Sequence, residues 1–382
     1  MTAKAIYVHI PFCKQICYYC DFNKFYLDNQ PVDSYIEALE SEIKDAFLIN
    51  HNRESIKTVY IGGGTPTALN GKQLEKVILA VKKYAPLLSD ELEFTVEVNP
   101  GEADLEKLKI MRKHGVNRLS IGVQSFDNNL LKKIGRSHSA EEVWKTVKDA
   151  QKAGFENISI DLMFGLPGQT SEIWQNTITN ALKLNIPHIS AYSLKIEEKT
   201  MFYNWYRQGK LRTLPEDIEA EMYEEMVSRL NRAGYEAYEI SNFAKSGFES
   251  MHNQVYWENK EYFGFGAGAH GYLNGVRYSN IAPLTHYIRA LQEKKTAVKY
   301  SHRVSKQEMM EEEMFMGLRM KKGVKEKNFK QKYGCSYFEI FSKAIQELKD
   351  KKLLLDTGWS LHLTESGRLL GNEVFERFLL TE

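Results

Sequence analysis

The chain has 382 residues, 43% of them hydrophobic, and 51 Lys and Arg against 50 Asp and Glu leave a formal charge of +1. That length and apolar content exclude a disordered chain and allow one barrel-sized domain with a smaller one beside it, and the balanced charge excludes a field of one sign that would draw nucleic acid or anionic lipid over the whole surface. No apolar run reaches the roughly 18 residues that cross a bilayer, and Met1 leads almost at once into a strand-like segment, so a cytoplasmic protein is expected.

From residue 5 to about 195, apolar strands alternate with amphipathic helices. The strands expected are AIYVHI (5–10), TVYIG (58–62), EFTVEV (93–98), RLSIGV (118–123), NISIDLMF (157–164) and HISAYSL (188–194). Most are nearly continuous apolar runs, the pattern of parallel strands covered on both faces. Between them Tyr35, Ile36, Leu39, Ile43 and Phe47 recur at helical spacing behind a Ser34 to Glu37 capping box. Leu105, Leu108 and Met111 precede Gly115, and Val143, Trp144 and Val147 precede Gly154, both glycines suiting a helix C-terminus. Ile173, Trp174, Ile178 and Leu182 form a further apolar face. The fold class is α/β: a partial (β/α)6 barrel of the TIM type, two units short of closure.

After residue 213 the rhythm changes. A helix with Met222, Tyr223, Met226 and Leu230 ends at Gly234, a strand-like YEAYEI follows, and a loop rich in Gly, Asn and aromatics runs to about 280. Residues 214–300 are expected to cap or close the barrel of residues 1–213. Residues 301–382 carry helices around Met314–Met320 and Phe338–Leu348, a hairpin-like LLLDTGWSLHLT and a last helix from Glu365, a smaller C-terminal winged-helix-like α+β module. Its lysine pieces, Lys321-Lys322 and Lys325-Glu326-Lys327, are broken by acids and read as a solvated helix surface, so no nucleic acid is expected as a partner.

Three of the four cysteines, Cys13, Cys17 and Cys20, fall within eight positions after the first strand, while Cys335 stands alone. Three close thiols pair poorly into disulfides, so metal is the better explanation. Three thiolates around a four-iron cubane leave one iron open. A zinc site completed by a distant His9 or Cys335 is the alternative. The x3, x2 spacing resembles the signature of the radical SAM superfamily, in which a [4Fe–4S] cluster binds S-adenosylmethionine at the open iron. Polar residues stand at or near other strand ends too, where β/α folds place their chemistry: the GGGTPT turn, Glu97, Gln124 and Asp161.

Together YVHIPFCKQICYYCDF, GGGTPT, GVQSF, IGR, DLMFGLPGQT and NFAKSG resemble the family of oxygen-independent coproporphyrinogen III oxidases and their relatives. That resemblance implies S-adenosylmethionine contacts from Tyr7, Tyr19, Gly63, Gly64, Thr65, Glu97, Gln124, Arg136 and Asp161. Glu97 would meet the ammonium, Arg136 the carboxylate, and Gln124 or Asp161 the ribose hydroxyls. The oxidases place a fourth cysteine two residues after the third and carry an N-terminal extension. Here Phe22 holds the cysteine position and the first strand begins at once. Both departures point to a sister branch of haem chaperones. Its proposed haem segment is matched by His252-Asn253-Gln254-Val255-Tyr256-Trp257, with His252 as candidate axial ligand and Tyr256 and Trp257 as covers for the macrocycle. Read without the resemblance, the same histidine is a hydrogen-bonded loop residue beside core aromatics. The resemblance thus implies three cofactors, a [4Fe–4S] cluster, S-adenosylmethionine and haem, and haem-accepting proteins as partners. A homodimer and peripheral membrane contact are compatible with it, and oxidative decarboxylation of a porphyrinogen is the competing activity.

Overall fold

The computed structural model describes residues 3–49, 55–88 and 91–380. Its first half is built as β1 (Ala5–Ile10), a short ladder of β2 (Phe12–Cys13) with β3 (Phe25–Tyr26), α1 (Val32–Ile49), β4 (Thr58–Gly63), α2 (Gly71–Tyr84), β5 (Glu93–Val98), α3 (Leu105–Lys113), β6 (Arg118–Gln124), α4 (Asn128–Lys133), α5 (Ala140–Lys152), β7 (Asn157–Phe164), α6 (Ser171–Lys183) and β8 (His188–Ser193). β1, β4, β5, β6, β7 and β8 pair in that order and all in parallel, giving the six expected β/α units.

Alternation along these strands divides their residues between two environments. Phe94, Val96 and Val98 of β5 point outward into the core beneath the helices, as do Leu119, Ile121 and Val123 of β6. The intervening Glu97 of β5 and Arg118, Ser120 and Gly122 of β6 line the barrel interior. Helix starts follow local chemistry: Asn70 with Gln73 and Ser139 with Glu142 close capping boxes on α2 and α5. The Ser34 to Glu37 box expected for α1 is not its start. The helix begins at Val32, because the Pro31 carbonyl already accepts the Tyr35 amide at 2.9 Å, which places Ser34 inside the first turn.

Residues 214–300 have no core of their own. After α7 (Met201–Arg207), α8 (Glu216–Arg232) adds Met222, Met226 and Leu230 to the barrel core. β9 (Glu236–Ala237) and β10 (Asn242–Ala244) extend the sheet antiparallel beyond β8, so only two residues of YEAYEI form strand. α9 (Met251–Trp257) follows, and β11 (Phe263–Phe265) extends the opposite edge in parallel beyond β1. α9 covers the N-terminal ends of β4 and β5: the Glu93 carboxylate accepts the amides of Met251 and His252 at 2.8 and 2.9 Å, a charge suited to a helix N-terminus. The segment therefore widens the sheet on both sides and plugs its floor. A second sheet of β12 (His270–Leu273), β13 (Val276–Asn280) and β14 (Val298–Arg303) flanks α10 (Leu284–Gln292).

The C-terminal module runs α11 (Lys306–Arg319), β15 (Val324–Lys325), α12 (Glu326–Tyr333), α13 (Tyr337–Asp350), β16 (Leu354–Asp356) and β17 (Ser360–Leu363), with strand order β15-β17-β16. Its separate core joins Met314, Phe329, Tyr337, Phe341, Leu361 and Phe378, the helices-plus-hairpin arrangement expected.

Candidate functional site

A cavity of about 450 Å³ opens at the C-terminal ends of the parallel strands. Cys13, Cys17 and Cys20 all line it, together with Tyr19, Gly63, Gly64, Thr65, Glu97, Gln124, Arg136 and Asp161. The loop carrying the cysteines is clamped at several points. Tyr18 donates its amide to the Ile134 carbonyl at 3.0 Å and accepts that of Phe202 at 3.0 Å. The Tyr18 ring meets Trp205 edge-on at 5.0 Å, and both loop tyrosines pack on the cluster of Leu130, Ile134, Leu166 and Phe202. On the far side Asn23 Nδ2 donates to the carbonyls of Ala267 and Ala282 at 2.9 and 3.0 Å, and Lys24 Nζ to that of Cys20 at 2.6 Å.

Burial pushes the Cys13 thiol up to about 12, although the Thr65 hydroxyl donates toward its Sγ at 3.7 Å. Burial also raises Cys20, against the pull of Lys24. Burial thus favours the protonated forms of Cys13 and Cys20, so their ligation to a metal group releases protons. Arg136 Nη1 donates to Cys17 Sγ at 3.5 Å, and Nη2 donates to Asn99 Oδ1 and the Gly122 carbonyl. Glu97 accepts from the Tyr60 hydroxyl at 2.7 Å and the Gly63 amide at 3.0 Å, and burial lifts its carboxyl to about 7. Burial likewise raises Asp161, opposed by Ser190, Arg118 and Ser120.

Several features fit a bulky group rather than a single ion. Among the described residues no three His, Cys, Asp or Glu side chains gather closely enough to hold one metal ion, whereas a polynuclear cluster spreads its thiolates around several irons. A Cβ on Gly64 would lie 2.9 Å from the carbonyl oxygens of Ile10 and Phe12 and 3.0 Å from Cys13 Sγ, so the backbone reaches the thiols only as glycine. Buried polar atoms without a partner, Arg136 Nε and Glu102 Oε2, sit on side chains joined through Asn99 at this rim.

The distant zinc ligands drop out. His9 is engaged at both ring nitrogens, by the Tyr7 hydroxyl and the Asn23 carbonyl, each at 2.8 Å, and Cys335 lies against the second core, 3.9 Å from Met310 Sδ. Tyr7 does not line the cavity; it supports His9 behind the Gly63 turn. The structure does not bring His252, Tyr256 and Trp257 to the cavity mouth. His252 lies on the floor plug, 1% exposed, its Nδ1 bonded to Thr58 Oγ1 and its Nε2 to the Tyr256 hydroxyl, both at 2.9 Å, and its ring stacked on Tyr60. Neither nitrogen is free for iron in this conformation. Trp257 lies beneath the Arg319 guanidinium at 4.3 Å.

Residues not singled out as strand-end groups also line the cavity: Tyr60, Asn99, Arg118, Ser120, Ser190 and Tyr192, together with Asn253 of the segment matched to haem binding. The strand residues among them follow from period-2 counting, Ser120 and Arg118 being two and four places before Gly122. Asn253, on α9, carries no such signal.

Comparison with known proteins places this geometry. The Radical SAM superfamily matches residues 7–181 and the HemN C-terminal domain matches residues 304–370. The haem chaperone HemW of Bacillus subtilis is 48% identical over 98% of this chain and 99% of its own length, and that of Lactococcus lactis 47% identical over 98% and 97%. The chain belongs to the HemW family. Coproporphyrinogen III oxidase (HemN) of Escherichia coli, a radical SAM enzyme, shares the fold, with a TM-score of 0.86 over 99% of this chain and 90% of that one at 24% identity. Membership of the superfamily implies a [4Fe–4S] cluster with S-adenosylmethionine, and the cavity carries the three thiols such a cluster needs. Bound together, that pair supplies one-electron chemistry at an iron the protein leaves open. Among the described residues no helix is long and apolar enough to cross a membrane.

Proposed function

We propose that this protein binds haem and passes it to acceptor proteins, on a scaffold that holds a [4Fe–4S] cluster through Cys13, Cys17 and Cys20. S-adenosylmethionine lies against Gly63, Gly64 and Thr65, its ammonium at Glu97, its carboxylate at Arg136 and its ribose at Gln124 or Asp161. The single observation that carries the chaperone reading over the oxidase reading is Phe22. It stands on the rim of the cavity beside Cys20, 61% exposed, and puts an apolar ring where a fourth thiol would otherwise be. The relatives 47–48% identical over nearly their whole length are haem chaperones by name, which supports the same reading.

Haem ligation by His252 belongs to this proposal with a structural condition. The imidazole becomes available only if α9 lifts from Thr58 and Glu93, so haem binding is coupled to opening of the barrel floor. The test is a haem titration of the anaerobically reconstituted protein, followed by its visible spectrum and by amide exchange of residues 251–257. Wild type should give a Soret shift together with faster exchange in α9, and His252→Ala should lose the shift. An unchanged spectrum and affinity in His252→Ala would remove His252 as ligand, and no binding by either protein would remove the chaperone function. Stoichiometric decarboxylation of coproporphyrinogen III would favour the oxidase.

A further inference from the structure

Arg118 is the first residue of β6, 2% exposed, and its side chain lines the same cavity as Glu97 and Asp161. A guanidinium in that position ordinarily forms ion pairs or several hydrogen bonds, because an unpaired buried charge costs several kcal/mol. Here Nε has no partner, and among the described residues the guanidinium forms neither a hydrogen bond nor an ion pair. Asp161 feels the field of the guanidinium, which holds its carboxyl down, but neither it nor Glu93 is bonded to Arg118. Glu93 accepts the amides at the start of α9, and Asp161 accepts from Ser120 Oγ at 3.3 Å.

The neighbours of Arg118 show the same deficit. Thr95 and Asn157 stand directly across from it in the register of β5 and β7, and Thr95 Oγ1 and Asn157 Oδ1 are both buried without a partner. Three adjacent strands therefore each leave one polar atom unsatisfied at this level, and of these only the Arg118 side chain is both a cation and on the cavity wall, whereas the Asn157 oxygen is an acceptor that a carboxylate would not satisfy. The nearby imidazoles do not compensate the charge, since His252 and His188 are both neutral under burial and the field of Arg118 itself. His188 is closed off by Ser159 at 2.7 Å and Tyr238 at 2.9 Å, and His252 by Thr58 and Tyr256.

We propose that Arg118 anchors an anion subsite at the deep end of the cavity, which takes a carboxylate group of the molecule that enters the barrel. The guanidinium supplies a two-pronged donor. The subsite is distinct from the Arg136 corner, where the other cavity guanidinium is already bonded to Asn99, Gly122 and Cys17. It does not depend on haem being the ligand: any guest with a carboxylate on a slender arm meets the same donors.

The experiment is a thermal-shift titration of the full chain with sodium propionate, compared with sodium chloride at equal ionic strength, on wild type, Arg118→Gln and Arg118→Lys. Wild type should show a saturating propionate shift that chloride does not reproduce. Arg118→Gln should weaken apparent propionate affinity by at least about tenfold, the worth of a charge-assisted hydrogen bond, and Arg118→Lys should keep part of it as a point charge. Circular dichroism of each variant confirms that it is folded before titration. If Arg118→Gln does not fold, the comparison of Arg118→Lys with wild type decides. Equal shifts from propionate and chloride, or an undiminished propionate response in the folded variants, would overturn the subsite. Haem titration of the same variants separates the two ideas: haem binding with no propionate response sinks only the subsite, and the converse sinks only the haem reading.

Discussion

Glu97 shows how one side chain can be built for a cation and yet be half-titrated near neutral pH. Burial lifts its carboxyl to about 7, the nearby Asp161 adds to the rise, and the Tyr60 hydroxyl and Gly63 amide oppose it. Only the ionised form pairs with an ammonium, so a cationic ligand at this position binds better as pH rises through that value. The affinity for S-adenosylmethionine, measured by equilibrium dialysis, should therefore climb from pH 6 to pH 8, approaching about tenfold per unit on the acid side. Glu97→Gln should bind more weakly and lose that slope, and a parallel slope in the variant would assign the titration to another group. Glu97 was legible from sequence because it falls near the end of a strand whose apolar residues, Phe94, Val96 and Val98, alternate with polar ones. Arg136 was not, except through resemblance: it follows a short helix, and its burial comes from Asn99, Gly122 and Cys17, which lie 37, 14 and 119 residues away. Arg118 was missed for a related reason. A charge at the first position of a strand reads as a solvated end until α9, more than a hundred residues later, is seen to cover the floor.

Among the elements, the six strands and their helices were readable because each buries a face whose periodicity is local. The pieces that complete the barrel were not. β10 and β11 have three residues each, too short for a period, and they take their places through contacts made elsewhere in the chain. One such contact is Glu42 of α1, whose carboxylate accepts the Gly266 amide at 2.8 Å, Asn280 Nδ2 at 2.6 Å and the Tyr287 hydroxyl at 2.5 Å, fastening β11, β13 and α10 to the first helix. Burial lifts this carboxyl to about 7, against those three donors. A carboxyl raised above its unfolded value favours folding while protonated, so its contribution is full below about pH 4.5 and declines as pH rises toward 7, with a limiting slope of about 1.4 kcal/mol per unit. Glu42→Gln keeps an acceptor and a donor without the titration. In urea denaturation the stability of the variant relative to wild type should thus be more favourable at pH 8 than at pH 5. A difference that does not vary with pH would mean that the carboxylate is not desolvated.

At the level of the whole molecule, two hydrophobic cores meet through Ile240, which packs on the second core, and through polar contacts, one of them centred on Glu239. Glu239, 3% exposed, bridges to Met320 by backbone pairing and accepts from the Ser241 amide at 2.8 Å and Asn242 Nδ2 at 2.5 Å, while Arg319 Nη2 approaches its second oxygen at 3.4 Å. The same guanidinium covers the Trp257 ring at 4.3 Å, so one arginine of the C-terminal module touches both the antiparallel edge of the barrel and the end of α9. Removing it leaves a buried carboxylate with only neutral donors. The loss should be of order 2–3 kcal/mol, below the 3–5 typical of a fully buried pair because water still reaches part of the Arg319 side chain. Most of that penalty comes from the stranded charge and not from the missing contact, so neutralising Glu239 should recover it. Arg319→Ala is expected to lower the denaturation midpoint clearly, Glu239→Gln to lower it less, and the double variant to be more stable than Arg319→Ala alone. Additive losses in that double-mutant cycle would show that the two side chains act independently. They would leave the cation over Trp257, with the Lys322–Glu258 and Asn259–Glu312 contacts, to hold the C-terminal module against the end of α9 and with it the floor of the barrel.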